Sequence, residues 1–141
     1  MTPAAAAPDR KGSLGLRVIV ADDNRDAATG LAMILQEEGH EVLAVYRGDS
    51  VLTLVASFRP DVLILDIGMP GLTGFEVAHA LRQRLGQACP LLIAVTAWNQ
   101  PAAHEMGRAS GFSHYLIKPY STDALLEILA AVTPGGPPRR P

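Results

Sequence analysis

The segment DVLILDI at residues 61–67 indicates the fold of this chain more directly than any other stretch. Its four consecutive aliphatic residues are typical of a strand buried on both faces, since a half-exposed strand would alternate apolar and polar residues. Strands of this kind occur mainly in parallel sheets that helices cover on both sides. The run ends near Asp66, a charged residue that a buried strand would normally avoid.

Similar short apolar runs recur along the chain and predict further strands. They are LRVIVA (16–21), EVLAVY (41–46), PLLIAVTA (90–97) and SHYLIK (113–118). Between the runs, apolar residues are spaced as on one face of a helix, for example Leu31, Ile34 and Leu35. Residues 99–110 have few large apolar side chains and predict only a weak helix. The alternation of strands and helices predicts an α/β fold, a doubly wound five-stranded parallel sheet in a three-layer sandwich.

The composition supports one folded domain with a large apolar core. The chain has 141 residues, of which 48% are hydrophobic and 18% charged, and its formal net charge is −2. A balance this close to zero gives no basis for binding nucleic acid or a membrane surface. Its single cysteine excludes an internal disulfide framework, and without a long apolar stretch or secretory leader we expect a soluble cytoplasmic protein. Residues 1–15 and 133–141 are predicted to be disordered tails of a domain spanning 16–132.

Polar residues stand where the predicted strands end. Asp22 and Asp23 follow the first strand, Asp66 ends the third, Thr96 lies at the end of the fourth, and Lys118 follows the fifth. In doubly wound sheets the functional groups gather at the carboxyl ends of the strands. We therefore expect three carboxylates, a hydroxyl and an ammonium group to meet at one edge of the sheet.

This collection of groups suits the acceptance of a phosphoryl group. Two carboxylates about 4 Å apart repel each other by roughly 4 kcal/mol at an effective dielectric constant near 20, so the cluster requires a cation or a proton. Oxygen ligands with room for water favour Mg²⁺. The oxygen of Asp66 could then attack phosphorus, with Lys118 supplying a second positive charge and Thr96 donating a hydrogen bond to the phosphoryl group.

The motifs VIVADDN, LILDIGMPGLTGFE, AVTA and YLIKP, in this order, resemble the receiver domain of two-component response regulators over about residues 16–132. The resemblance implies a CheY-like, flavodoxin-like sheet of order 2-1-3-4-5 in a single-domain response regulator. It implies a signalling switch that assists its own phosphorylation and dephosphorylation rather than an enzyme. The phosphoryl donor would be a phosphohistidine of a histidine kinase or histidine phosphotransfer protein. The switch would dock on a downstream protein target, as a monomer or a phosphorylation-dependent homodimer.

The resemblance also assigns the phosphorylation and metal residues. Asp66 would be the phosphorylated aspartate and a metal ligand. Asp23 would bind Mg²⁺ directly, Asp22 mainly through water, and Gly68 through its backbone carbonyl.

The same resemblance identifies a switch that reads the phosphoryl group. Thr96 would move to the phosphate and Tyr115 would turn inward, while Lys118 contacts the phosphate. The remaining residues that the resemblance places around the site are Pro119, whose bond to Lys118 is expected to be cis, and Ala97 and Trp98. Thr73 replaces the Asp common before the third helix but remains a suitable N-cap.

The residues also bear on four alternatives to a stand-alone receiver. A receiver module of the hybrid-kinase type, acting as a relay or phosphate sink, remains open. A Mg²⁺-dependent phosphohydrolase with an aspartate nucleophile would carry a general acid two residues after Asp66, where this chain has Gly68. A flavin carrier is disfavoured because Asp22 and Asp23 would repel its phosphate. A receiver that binds partners without phosphorylation is disfavoured because every phosphorylation residue is present.

Overall fold

The computed structural model describes residues 15–69, 71–96 and 111–133. The strands are β1 (Arg17–Ala21), β2 (Glu41–Val45), β3 (Val62–Asp66), β4 (Leu91–Thr96) and β5 (His114–Ile117). The helices within these ranges are α1 (Arg25–Glu37), α2 (Gly48–Phe58), α3 (Gly74–Leu85) and α4 (Thr122–Ala130), with a short 3₁₀ turn at Gly86–Ala88. The weak helix predicted over 99–110 and nearly all of the two predicted tails lie outside the described residues.

The five strands form one parallel sheet in the order β2-β1-β3-β4-β5, which confirms the predicted fold. Each strand ends within one residue of its predicted limits. Strands β1, β3 and β4 occupy the centre of the sheet, and nearly all of their residues are buried. Their unbroken aliphatic composition follows from this position, because helices cover both faces of a central strand.

Alternation along the strands divides the core into two layers. On one face, Ile64 and Ile93 pack with Leu35 of α1 and Leu125 of α4. On the other face, residues such as Leu63 and Leu92 of the sheet pack with Val51 of α2 and with Val77 and Leu81 of α3. Successive side chains of a strand point to opposite faces, so each central strand contributes to both layers.

Local side-chain contacts fix where the helices begin. The side chain of Asn24 accepts a hydrogen bond from the Ala27 N–H at 3.1 Å, and Ser121 accepts one from the Ala124 N–H at 3.2 Å. Thr73 and Glu76 form a reciprocal pair, in which each side chain accepts from the backbone N–H of the other. These contacts satisfy N–H groups that the first turn of a helix leaves unpaired. The cap predicted at Thr73 is therefore present, and Ser121 caps α4 in the same way.

One residue of the apolar face predicted for α1 is not buried. Leu31 and Leu35 are buried, but Ile34 is 40% exposed and its neighbour Met33 is 57% exposed. Ile34 lies about 100° around the helix from Leu35, so it sits at the edge of the buried face rather than on it. No helix in the described part of the chain is long and apolar enough to cross a bilayer.

Candidate functional site

Three carboxylates meet at the carboxyl edge of the sheet. β1 pairs directly with β3, which brings the loop after β1 beside the end of β3. One carboxylate oxygen from each of Asp22, Asp23 and Asp66 lies within 4.8 Å of the others. Asp22 is buried, Asp66 is half-buried and Asp23 is exposed. The cluster therefore extends from the end of the core to solvent.

The ammonium group of Lys118 joins two of these carboxylates. Its Nζ donates to Oδ2 of Asp22 at 3.1 Å and to Oδ2 of Asp66 at 3.4 Å. Lys118 begins the segment after β5, and its backbone N–H donates to the Thr96 carbonyl at 2.7 Å. This backbone bond holds Lys118 against the end of β4, from which its side chain reaches the carboxylates beyond that strand.

The other oxygen of each carboxylate is held by the adjacent backbone. Oδ1 of Asp22 accepts from the Asn24 N–H at 2.9 Å, and Oδ1 of Asp66 accepts from the Gly68 N–H at 3.0 Å. Each carboxylate is thus fixed on one side by its own loop and on the other by Lys118. For Gly68 the described contact involves the N–H, whereas the resemblance implies a role for its carbonyl.

The site balances burial against charge. Burial has the largest effect on the pKa of the Asp66 carboxyl and raises it, and the nearby charge of Asp22 raises it further. The hydrogen bond from the Gly68 N–H and the charge of Lys118 lower this pKa. The net result is a raised pKa. Burial lowers the pKa of Lys118, but the hydrogen bond and charge of Asp22 and the charge of Asp66 outweigh it and the pKa rises. Lys118 therefore stays protonated beside an aspartate that is harder to ionise than usual.

The donor atoms fit a hard divalent cation. Asp22, Asp23 and Asp66 offer only oxygen, and the exposed Asp23 leaves one side of the cluster open to water. Mg²⁺ prefers carboxylate oxygens and usually retains several water ligands. Among the residues that the structure describes, one ammonium and three carboxylates meet here, so these groups carry a surplus negative charge that a cation would neutralise.

Thr96 and Tyr115 lie on neighbouring strands. Tyr115 pairs with Ala94 in the β4–β5 register, and Thr96 pairs with Ile117. Because Ala94 and Thr96 are two residues apart, Thr96 and Tyr115 project from the same face of the sheet. Thr96 is buried and Tyr115 is half-buried. The Lys118–Pro119 bond is cis, and the predicted site residues Ala97 and Trp98 lie outside the described residues.

A cavity of about 530 Å³ extends from the carboxylate cluster along α1. Asp22, Asp66 and Lys118 line its polar end, and its apolar wall includes Ala27, Leu31, Ile34 and Tyr120. This cavity cannot be predicted from the sequence, because the spacing of Leu31 and Ile34 is that of a buried helix face. The only available signal was their position on the helix that directly follows Asp22 and Asp23.

The chain is similar to known proteins over most of its length. The family model of the response regulator receiver domain matches residues 18–130. The protein PilH of Pseudomonas aeruginosa is 32% identical over 119 residues, which cover 84% of this chain and 98% of PilH. The response regulator MprA of Mycobacterium bovis is 34% identical over 119 residues, but this chain spans only 51% of its length.

Solved structures show the same arrangement of strands and helices. The chemotaxis response regulator CheY4 of Vibrio cholerae superposes with a TM-score of 0.75 at 30% sequence identity. That similarity covers 82% of this chain and 96% of CheY4. The chain is therefore similar to these proteins in both sequence and fold from β1 to α4.

Proposed function

The chain belongs to the response regulator receiver domain family, and on that premise we propose that Asp66 accepts a phosphoryl group from a phosphohistidine of a partner protein. The observation that supports this most strongly is the position of Lys118, hydrogen-bonded to both Asp22 and Asp66 beside a third carboxylate. A cation that already binds the acceptor oxygen is well placed to bind the phosphoryl oxygens that arrive there.

The transfer exchanges one bond to phosphorus for another. An oxygen of the Asp66 carboxylate forms a bond to phosphorus while the bond from phosphorus to the imidazole nitrogen breaks. The electron pair of the broken bond returns to the imidazole, and an acyl phosphate remains on Asp66. Only the ionised carboxylate can attack, so the Gly68 N–H and Lys118 favour the reaction by opposing the effect of burial on the pKa of Asp66.

Asp22, Asp23 and Asp66 would hold Mg²⁺, with the Gly68 carbonyl as a further ligand. When bound, Mg²⁺ neutralises negative charge on the carboxylates and on the phosphoryl oxygens. Asp22 is oriented for this role by the Asn24 N–H, and Asp23 stands at the solvent side of the cluster.

Thr96 and Tyr115 would convert phosphorylation into a change of shape. The Thr96 hydroxyl would donate a hydrogen bond to the phosphoryl group, and Tyr115 would turn inward. Their placement on one face of adjacent strands supports this pairing, because a movement of Thr96 changes the space next to Tyr115. The altered face at β5 and α4 would then dock on a downstream protein, without nucleic acid or membrane as a partner. As a switch, the chain would assist its own phosphorylation and dephosphorylation.

The cavity along α1 supports a protein as the phosphoryl donor. Its polar end contains the acceptor, and its apolar wall includes Leu31 and Ile34, of which Ile34 is 40% exposed. A histidine kinase or histidine phosphotransfer protein could cover these apolar side chains while its phosphohistidine reaches Asp66. A small phosphodonor would leave the apolar wall in water.

The sole tryptophan of the chain offers a direct test. Trp98 follows Thr96 by two residues, so its fluorescence should respond to Mg²⁺ and then to beryllofluoride, a phosphoryl mimic. Asp66→Asn should abolish the second response, whereas Asp26→Asn, on the exposed first turn of α1, should preserve it. Unchanged fluorescence in the wild-type protein, with no phosphorylated species by mass after incubation with acetyl phosphate, would contradict the proposed function.

A further inference from the structure

Three aromatic rings connect α3 with β5. The rings of Phe75 and Phe112 meet edge to face, with centroids 6.4 Å apart and an interplanar angle of 74°. Phe112 also contacts Tyr115, with centroids 6.1 Å apart and an angle of 40°. Phe112 is only 7% exposed, whereas Phe75 and Tyr115 are half-buried. The central ring is therefore confined between the two outer ones.

The first ring is attached to the backbone that carries Asp66. Phe75 follows Gly74, whose N–H donates to the Ile67 carbonyl at 3.0 Å. A Cβ atom on Gly74 would lie 3.0 Å from the Asp66 carbonyl oxygen, so the two backbones are in close contact. A displacement of the segment after Asp66 must therefore move the first turn of α3 and the Phe75 ring with it.

The middle ring is attached to the same helix by a second contact. Nη2 of Arg82 in α3 donates to the Gly111 carbonyl at 3.0 Å, directly before Phe112. Gly111 has a φ of +98°, and a Cβ there would overlap the Arg82 side chain. The segment that leads into β5 is thus held against α3, and Phe112 cannot easily move apart from it.

We propose that Phe112 is a positioning residue for Tyr115, which holds the tyrosine ring in the place described here and couples it to Asp66 through α3. This inference rests on the proposed function, in which Tyr115 moves when Asp66 is phosphorylated. The contacts through α3 and Phe112 would connect Asp66 to Tyr115 in addition to the connection through Thr96. An aromatic contact made in only one of two ring positions shifts the equilibrium between them roughly 2- to 10-fold.

Fluorine NMR of the protein with 3-fluorotyrosine can observe this equilibrium. The chain has three tyrosines, Tyr46, Tyr115 and Tyr120, whose signals are assigned with Tyr→Phe variants. In the wild-type protein, a nuclear Overhauser contact to the Phe112 ring marks the signal of Tyr115 in the position described here. We expect Mg²⁺ with beryllofluoride to reduce that signal. Phe112→Leu, in which the two Tyr115 signals are identified by chemical shift, should lower the ratio of the described to the inward position roughly 2- to 10-fold without any addition.

Two further variants separate positioning from general stability. Phe75→Leu removes the ring on α3, and we expect it to shift the Tyr115 populations in the same direction as Phe112→Leu. If Phe112→Leu does not fold, Phe75→Leu tests the proposal in its place. Phe58→Leu makes the same substitution in the same core layer, on α2, and should leave the Tyr115 populations unchanged.

The outcomes distinguish the two claims. If beryllofluoride leaves the Tyr115 signal of the wild-type protein unchanged, both the proposed switch and the role of Phe112 are contradicted. If the wild-type protein responds but the folded Phe112 and Phe75 variants keep the wild-type populations, the proposed function stands and the role of Phe112 is overturned. An equal shift in Phe58→Leu would also overturn it, because the effect would then reflect loss of core packing.

Discussion

The ammonium nitrogen of Lys118 lies 3.1 Å from Oδ2 of Asp22, although 96 residues separate them in the sequence. The parallel sheet explains this proximity, because it places the ends of β1, β3, β4 and β5 along one edge. The same nitrogen is 3.4 Å from Oδ2 of Asp66, so one cation serves two carboxylates. These contacts make the site sensitive to any change in its charge.

Loss of the Lys118 charge should destabilise the folded protein. Lys118→Met leaves Asp22 and Asp66 partly buried without their shared cation. Because the lysine side chain is 32% exposed, we expect a decrease of about 1–2 kcal/mol in the free energy of unfolding, less than for a fully buried pair. Urea denaturation at neutral pH with a chelator present measures this. Arg84→Met, at an exposed position of α3, is the matched control; equal losses in both variants would contradict the role of Lys118.

Removal of the Asp66 charge should have the opposite effect. Without divalent cations, Asp66→Asn relieves repulsion within the carboxylate cluster and should raise the free energy of unfolding by on the order of 1 kcal/mol. Mg²⁺ at about ten times its dissociation constant should stabilise the wild-type protein by roughly 1.4 kcal/mol and the variant by less. Thermal unfolding with chelator and with Mg²⁺ provides both comparisons. Equal stabilisation of the two proteins by Mg²⁺ would exclude Asp66 as a ligand.

Two glycine substitutions should change stability in opposite directions. Gly48 begins α2 against the loop that follows β3, and a Cβ there would overlap the Leu72 carbonyl oxygen. Gly48→Ala should therefore cost roughly 1–3 kcal/mol through overpacking. Gly30 lies within α1 and a Cβ there meets nothing within 4 Å, so Gly30→Ala should stabilise by roughly 0.5–1 kcal/mol. Chemical denaturation of both variants tests this; a stabilising Gly48→Ala would show that the loop is not held as described.

Stability should fall on mild acidification because of His40. Burial lowers the pKa of His40 below its ordinary value of 6.5, partly opposed by Glu38. Its Nδ1 accepts a hydrogen bond from the Leu16 N–H at 3.0 Å, which the protonated nitrogen could not do. The unfolded chain thus binds the proton more readily than the folded protein does. The contribution of His40 to the free energy of unfolding is therefore fully present above pH 6.5 and is lost as the pH falls through the lowered pKa.

His40→Asn retains an acceptor but does not titrate, so it should remove part of this pH dependence. His79→Asn, on the exposed face of α3, is the control. Unfolding free energies measured from neutral pH to about pH 5 provide the comparison. A wild-type pH profile in His40→Asn would show that this hydrogen bond does not respond to acid.

The sequence predicted the sheet and the residues at its edge because both follow from local patterns. The aliphatic runs around Ile19, Ile64 and Ile93 identify central strands, and charged residues directly after such runs must lie at strand ends. The order of the strands in the sheet is implied by the family resemblance and not by the pattern of apolar residues. Once that order is known, the meeting of Asp22, Asp66 and Lys118 follows from topology.

Other features depend on contacts that no local pattern encodes. Ile34 matches the spacing of a buried position, but the angle at which α1 lies on the sheet leaves it at the rim of the cavity. Phe112 lies in a short segment before β5, and its neighbour Phe75 belongs to a helix far away in sequence. Their contact depends on how α3 packs against the sheet, and this packing is not encoded in the local sequence of either segment.

The most direct test of phosphoryl acceptance is the intact mass of the chain after incubation with Mg²⁺ and acetyl phosphate. We expect the wild-type protein and Asp26→Asn to gain the mass of one phosphoryl group, which hydroxylamine removes as it does from acyl phosphates. Asp66→Asn should remain unmodified. An unmodified wild-type protein, or equal modification of Asp66→Asn, would contradict the assignment of Asp66 as the phosphoryl acceptor.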